Sequence, residues 1–212
     1  MIRSVFFFFF LWLSLILSMV LFIPFPLFLI PVFKKQKNKY IGFWTRKWAG
    51  FSLFLSGSKI HVNGRENIPD QGSFVIIANH QGFMDIPVLM KIFPYPLSFV
   101  TKKELLKVPL INLWILALNC LVIDRRRPYE AYKRISSRMA DRSGNPVIIF
   151  PEGTRSRGEK AGQWKKGGLK IIHESGITEI MVKISGSYKI WEEKGRIVPA
   201  LIDIEILQPH YK

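Results

Sequence analysis

Residues 74–85 read FVIIANHQGFMD, so an apolar stretch leads into His80 and Asp85 follows five residues later. A carboxylate bonded to one imidazole nitrogen fixes the tautomer and leaves the other nitrogen free to take a proton. Gly82 permits the tight turn that would bring the two side chains together. Two interpretations are open. Either His80 and Asp85 form a catalytic pair, or His80 bonds to backbone while Asp85 only caps the helix that follows. We expect Asp85 to cap that helix in both cases, since orienting the base and starting the helix do not exclude each other.

A second stretch, FPEGTRSR at residues 150–157, ends an apolar strand in a turn. Backbone N–H groups of such a turn can converge on an anion, and Arg155 offers a planar fork suited to phosphate. Arg157 either adds charge or is solvated. His80 and Glu152 would both lie just beyond strand ends, where ligands gather in an open α/β sheet. A base beside a phosphate-binding site implies a substrate that carries a phosphate group and whose hydroxyl is the attacking nucleophile.

Other catalytic motifs are missing from the chain. It contains no G-x-S-x-G, no G-x-G-x-x-G and no G-x-x-x-x-G-K-[ST] sequence. The four histidines and one cysteine lack metal-ligand spacing, so we expect no metal site. Cys120 lies in the apolar run LALNCLVI, and we interpret it as a small buried hydrophobic residue.

From residue 56 onward the pattern alternates between strands and helices. Short β-rich runs are predicted strands at 59–64, 73–79, 97–102, 120–125, 146–150, 179–185 and 200–207. Predicted helices cover 85–93, 104–119, 128–145 and 166–176. This alternation predicts an α/β domain over 56–212, with a mixed, largely parallel sheet flanked by helices.

Residues 1–55 have a different composition and predict a membrane-anchoring unit. Residues 5–33 contain no charge, with prolines at 24, 26 and 31 that would kink or end a helix. The segment therefore either spans the bilayer or enters it and returns on the same side. A cleaved signal peptide is disfavoured because no small-residue cleavage site follows. Lysines at 34–39 suggest that the body of the protein is cytoplasmic, on the cell membrane. Residues 40–55 predict either a helix in the headgroup layer or a core helix.

The net charge restricts the partners. It is +16 at pH 7, and residues 1–65 contain Lys and Arg but no Asp or Glu. Such a surface attracts polyanions, which are nucleic acids or anionic lipid headgroups. Because the basic residues flank an apolar segment, we expect a lipid surface and not a nucleic acid.

The two stretches resemble signatures of a known family. NHQGFMD and FPEGTRSR are similar to the H-x-x-x-x-D and F-P-E-G-T-R-S sequences of the glycerolipid acyltransferases. Between them, Lys102, Glu104-Leu105, Pro109 and Ile-Asp-Arg at 123–125 resemble that family's second block. The fourth block departs from the family pattern, since Met181 stands where proline is usual and Lys183 where a small residue is usual.

The resemblance implies a mechanism and a set of site residues. His80, oriented by Asp85, would take the proton of a lysophosphatidic acid hydroxyl, which attacks an acyl thioester directly. The residues implied to bind substrate are Lys102, Arg125, Glu152, Gly153, Thr154 and Arg155, with Glu152 more suited to shaping its turn than to acting as a base. Backbone N–H groups near the Gly-rich turns are expected to stabilise the oxyanion. No cofactor is implied beyond the acyl donor, which is acyl-CoA or acyl-acyl carrier protein.

Two alternatives to that function stay open from the sequence. The acceptor could be glycerol-3-phosphate, a lysophospholipid or a lyso-ornithine lipid instead of lysophosphatidic acid. The chain could also be a non-catalytic module that binds anionic lipid through its charge. The intact His80/Asp85 pair argues against the second alternative, because binding alone needs no base.

Overall fold

A computed structural model describes residues 1–21, 34–70, 73–141 and 144–211. The helices are α1 (Ile2–Leu21), α2 (Lys34–Ser56), α3 (Asp85–Ile92), α4 (Ile111–Ala117), α5 (Pro128–Ala140) and α6 (Lys166–Ser175). The strands are β1 (Lys59–Asn63), β2 (Phe74–Ala78), β3 (Ser98–Lys102), β4 (Leu121–Ile123), β5 (Val147–Ile149), β6 (Thr178–Ser185) and β7 (Leu201–Ile206). Short 3-10 turns lie at Arg65–Asn67, Lys103–Lys107 and Ser187–Ile190.

The strands form one seven-stranded sheet in the order β1-β7-β6-β2-β5-β3-β4. Neighbouring strands are parallel except for the antiparallel pair β6 and β7. Every residue of β2 and β5 is buried, as expected for central parallel strands covered by helices on both faces. The predicted mixed, largely parallel α/β sheet is therefore confirmed.

Four adjacent strands of the sheet position the polar residues of the site. β2, β5, β3 and β4 are consecutive neighbours and all run in the same direction. Residues that follow these strands must therefore meet at one edge of the sheet. His80 follows β2, the turn containing Arg155 follows β5, Lys102 ends β3 and Arg125 follows β4.

The divergent fourth block lies in β6. Its residues alternate between the core and the surface, with Val182 and Ile184 buried. Met181 is 42% exposed. The Nζ of Lys183 lies 3.8 Å from the Oε2 of Glu205 on β7. The two departures from the family pattern thus fall on the outward face of the strand.

The two N-terminal helices pack against the α/β core. Phe7 of α1 and Ile41, Ala49 and Leu53 of α2 belong to the same buried cluster as Val88 of α3. The opposite sides of both helices present exposed apolar side chains, which include Phe6, Phe9, Trp12, Phe43, Phe51 and Phe54. Helix α2 thus has one face in the core and an outer face on which Lys47 lies among exposed phenylalanines.

The predicted membrane segment is only partly described. Within the described residues, no helix combines the length and hydrophobicity needed to cross a bilayer. Residues 22–33, where the three prolines fall, lie outside the described residues. The division into an anchoring unit at 1–55 and a domain at 56–212 stays a prediction.

The predicted single helix at 104–119 is wrong. The segment forms a 3-10 turn at Lys103–Lys107 and then helix α4 from Ile111. Pro109 lacks a backbone N–H and disfavours helical geometry at Val108, which is extended at φ −86° and ψ 114°. Leu110 takes a positive φ of 68°, which reverses the chain before α4 begins.

Candidate active site

His80 and Asp85 are in direct contact. The Nδ1 of His80 lies 2.7 Å from the Oδ2 of Asp85, and the same oxygen accepts the backbone N–H groups of Gln81 and Gly82 at 2.7 and 2.9 Å. Because this carboxylate oxygen can only accept, Nδ1 carries the proton and Nε2 has its lone pair available. The Asp85 side chain is fully buried, and that of His80 is 13% exposed.

Asp85 does not cap helix α3, so the predicted capping role is wrong. It is the first helical residue, Met84 occupies the N-cap position, and no side-chain capping hydrogen bond is made. Three donors of the preceding turn converge on Oδ2, which directs the carboxylate back toward His80. Its other oxygen, Oδ1, is buried and has no hydrogen-bond partner among the described residues.

Glu152 ties the turn after β5 to the turn after β2. Its Oε1 accepts the backbone N–H of His80 at 2.9 Å, and its Oε2 accepts that of Gly162 at 2.8 Å. The backbone N–H groups of Ser156 and Arg157 donate to the carbonyls of His80 and Gln81. The Glu152 carboxylate is therefore occupied by backbone donors, and this placement suits a residue that shapes its turn.

Phe150 fixes the plane of the imidazole. Its ring stacks on His80 with 4.0 Å between centroids and an interplanar angle of 17°. Together with the Asp85 bond, this contact restricts rotation of the His80 ring about both side-chain torsions.

A cavity of about 970 Å³ opens over these turns. His80, Lys102, Arg125, Gly153, Thr154 and Arg155 all line it, so six of the eight predicted site residues share one cavity. Asp85 and Glu152 lie behind this surface. Much of the remaining wall is apolar and includes Ile86, Phe99, Leu105, Ile123, Ile135, Ile149 and Ile171.

The cavity has a strongly positive lining. Lys102, Arg125 and Arg155 are joined there by Arg157 and Lys165, and no Asp or Glu is among the described residues that line it. Fixed cations beside apolar walls suit an amphipathic anion. From the sequence, Arg157 could either add charge or be solvated, and in the structure it lines the cavity. Lys165 was not predicted because it lies in a loop outside any motif.

Asp124 pairs with Lys103, a cation that does not line the cavity. It accepts a hydrogen bond from Lys103, which is the largest cause of its lowered pKa, and the backbone N–H of Arg126 lowers that pKa further. Lys103 is thus occupied, while the neighbouring Lys102 and Arg125 line the cavity.

Glu192 is a residue of this site that sequence reasoning missed. It follows the 3-10 turn Ser187–Ile190 and reaches the turn between His80 and Asp85, where its Oε1 accepts the N–H of Phe83 at 2.7 Å. No motif surrounds it in the sequence, so only the folded chain reveals it. Within the described residues there is no cluster of His, Cys, Asp and Glu side chains suited to a metal ion.

Known proteins are similar to this chain over the part that carries the site residues. A model of the acyltransferase family matches residues 59–190. The 1-acyl-sn-glycerol-3-phosphate acyltransferase of Borreliella burgdorferi is 33% identical over 134 residues, covering 63% of this chain and 54% of that protein. The Pseudomonas aeruginosa enzyme of the same name is 34% identical over 161 residues, covering 72% of this chain and 61% of that protein. The chain thus spans about half the length of the Borreliella relative.

A solved structure matches nearly the whole chain. The crystal structure of the 1-acyl-sn-glycerophosphate acyltransferase PlsC from Thermotoga maritima superposes with a TM-score of 0.78 at 28% sequence identity. The match covers 99% of this chain and 86% of that one, so it includes the N-terminal helices as well as the sheet.

Proposed function

The chain belongs to the acyltransferase family, and on that premise we propose that it transfers a fatty acyl group from an acyl thioester to the free hydroxyl of 1-acyl-glycerol-3-phosphate. The observation that carries the proposal is the His80–Asp85 pair facing a cavity lined with cations. The product would be phosphatidic acid, which places the reaction in phospholipid synthesis.

His80 acts as the general base in this proposal. Its Nε2 takes the hydroxyl proton as the hydroxyl oxygen attacks the thioester carbonyl carbon. The tetrahedral intermediate collapses with cleavage of the C–S bond, and the thiolate leaves and recovers the proton from the imidazolium. Asp85 stabilises that imidazolium and keeps Nδ1 as the donor. No acyl-enzyme forms and no cofactor is needed.

Lys102, Arg125 and Arg155 bind the acceptor phosphate. All three line the cavity into which His80 also faces. Arg155 is 43% exposed and able to make paired hydrogen bonds to phosphate oxygens. The apolar wall of the same cavity receives acyl chain, which explains why cations and isoleucines line one space.

The oxyanion donors come from the turn after β5. The N–H groups of His80, Gln81, Gly82 and Phe83 all donate to buried carboxylates and are not available. By contrast, the described residues offer no acceptor to the N–H groups of Thr154 and Arg155. Gly153, with a φ of 71°, allows this turn to present them to an anion.

The lipid substrate reaches the site from a membrane surface. The exposed aromatic side chains of α1 and α2 and the basic N-terminal sequence suit contact with anionic lipid on the cytoplasmic face of the cell membrane. The donor is acyl-CoA or acyl-acyl carrier protein, and both carry phosphate that a basic surface attracts.

A panel assay tests the proposal. Purified protein in detergent is incubated with acyl-CoA or acyl-acyl carrier protein and one of four acceptors: 1-acyl-glycerol-3-phosphate, glycerol-3-phosphate, lysophosphatidylcholine or a lyso-ornithine lipid. Mass spectrometry then identifies the products. We expect phosphatidic acid as the main product, and preferential acylation of another acceptor would contradict the assignment.

A further inference from the structure

Glu192 is a buried carboxylate that the proposed reaction does not use. Its side chain is only 4% exposed. Its Oε1 accepts the N–H of Phe83 at 2.7 Å, while its Oε2 is buried and has no hydrogen-bond partner among the described residues. A buried, half-satisfied carboxylate costs folding free energy, so its presence beside the site calls for a role. It also lies just beyond the residues matched by the family model.

The turn between His80 and Asp85 leaves room for Glu192. A Cβ placed on Gly82 would lie 2.6 Å from the Oε2 of Glu192 and 3.0 Å from its carboxyl carbon. Any side chain at position 82 would therefore push Glu192 away from the turn. Gly82 thus allows a carboxylate on each side of the turn, with Asp85 bonded from one side and Glu192 from the other.

Glu192 also faces the arginine assigned to the acceptor phosphate. The Nη1 of Arg155 lies 3.9 Å from the Oε1 of Glu192. Burial is the largest cause of the raised pKa of Glu192, and the Phe83 N–H and the charge of Arg155 act in the opposite direction. The carboxylate thus touches both the turn that holds the base and the guanidinium that faces the cavity.

We propose that Glu192 is a positioning residue that aims the Arg155 guanidinium at the acceptor phosphate and braces the turn between His80 and Asp85. This inference rests on the proposed function. Because the Glu192 carboxylate contacts both Arg155 and the turn that follows His80, it keeps the guanidinium and the imidazole at a fixed distance from each other. That spacing decides whether a bound acceptor places its hydroxyl at His80.

Two substitutions separate the charge of Glu192 from its hydrogen bond. Glu192→Gln keeps the shape and an oxygen for the Phe83 N–H but removes the charge facing Arg155. We expect the KM for 1-acyl-glycerol-3-phosphate to rise about two- to fivefold, the range of a half-exposed ion pair, with kcat within about twofold. Glu192→Ala also removes the acceptor of Phe83, so kcat should fall as well, and the glutamine variant should restore most of it.

A double-mutant cycle with Arg155→Ala identifies the partner. If Glu192 acts through Arg155, the glutamine substitution should leave KM unchanged in the Arg155→Ala background. Glu193→Gln is the matched control, because this neighbouring glutamate is exposed and should leave both constants unchanged. Thermal melting curves check that each variant is folded.

The outcomes are distinguishable. An unchanged or lowered KM in Glu192→Gln, or an equal rise with and without Arg155, would overturn the inference while leaving the proposed function intact. No product from the unsubstituted protein would overturn the proposed function and the inference with it.

Discussion

The Oδ2 atom of Asp85 accepts three hydrogen bonds, from the Nδ1 of His80 and from the backbone N–H groups of Gln81 and Gly82. One carboxylate oxygen therefore fixes both the imidazole and the turn that carries it. The ring cannot change its tautomer or swing away without breaking a charge-assisted bond. This relationship makes the orientation of the ring, and the stabilisation of the imidazolium in the proposed reaction, depend on the Asp85 carboxylate.

Asp85→Asn tests that dependence. An amide oxygen in the position of Oδ2 can still accept all three hydrogen bonds, but the neutral amide no longer stabilises the imidazolium that forms when Nε2 takes the hydroxyl proton. We expect kcat to fall at least about 100-fold while the fold persists. Initial rates and a melting curve measure the two effects, and a kcat within tenfold of the unsubstituted protein would contradict the role of Asp85.

Arg155→Ala tests phosphate binding. Loss of a charged hydrogen-bond donor from the cavity should raise the KM for 1-acyl-glycerol-3-phosphate about 10- to 100-fold with a smaller effect on kcat. Arg126→Ala is a suitable control, because the Arg126 side chain is 78% exposed and pairs with Asp124 at 3.7 Å. Equal KM values for the two variants would remove Arg155 from the phosphate site.

Glu152→Ala should act on stability. It leaves the N–H groups of His80 and Gly162 without their carboxylate acceptors. Because both hydrogen bonds are only partly buried, the full penalty of an unsatisfied buried donor does not apply to each, and the free energy of unfolding should fall by about 1–3 kcal/mol in total. Denaturant titration in detergent measures the loss. A variant as stable as the unsubstituted protein but inactive would instead give Glu152 a direct chemical role.

Cys120 should react slowly with thiol reagents. Burial raises the pKa of this thiol to about 11, although a hydrogen bond from the Phe99 backbone acts in the opposite direction. Because the pKa is raised, the thiol stays protonated at neutral pH, and about one molecule in a thousand carries the thiolate at pH 8. Alkylation should accelerate about tenfold per pH unit below pH 11 and become fast in urea. Rapid labelling of the folded protein at pH 7.5 would contradict a partly buried thiol with a raised pKa.

Much of the site follows from local pattern and strand direction. The stretch FVIIANHQGFMD left two interpretations of His80 and Asp85 open, and the family resemblance implied the pair that the structure shows in contact. The resemblance also implied Lys102, Arg125 and Arg155, which the parallel sheet brings to the same edge. Each of these residues lies within a few positions of a strand end, so the direction of its strand decides at which edge of the sheet it lies.

The features that the sequence did not predict depend on contacts between residues far apart in the chain or on unusual backbone torsion angles. Glu192 reaches Phe83 from more than 100 positions away, with no motif to connect them. Asp85 was expected to cap α3, but the donors of the preceding turn compete more effectively for its carboxylate. The single helix predicted at 104–119 does not form, because Pro109 constrains the backbone and Leu110 takes a positive φ.

The most direct test of the account is the rate of acyl transfer by His80→Ala. With 1-acyl-glycerol-3-phosphate and an acyl thioester, removal of the base should lower kcat by about 10² to 10⁴ while the melting temperature stays close to that of the unsubstituted protein. His61→Ala is the matched control, since His61 also lies 3.3 Å from an aspartate, Asp203, but is exposed at the sheet edge. If His80 is the general base, we expect full activity in the His61 variant and almost none in the His80 variant. Equal activity in the two variants would contradict that role.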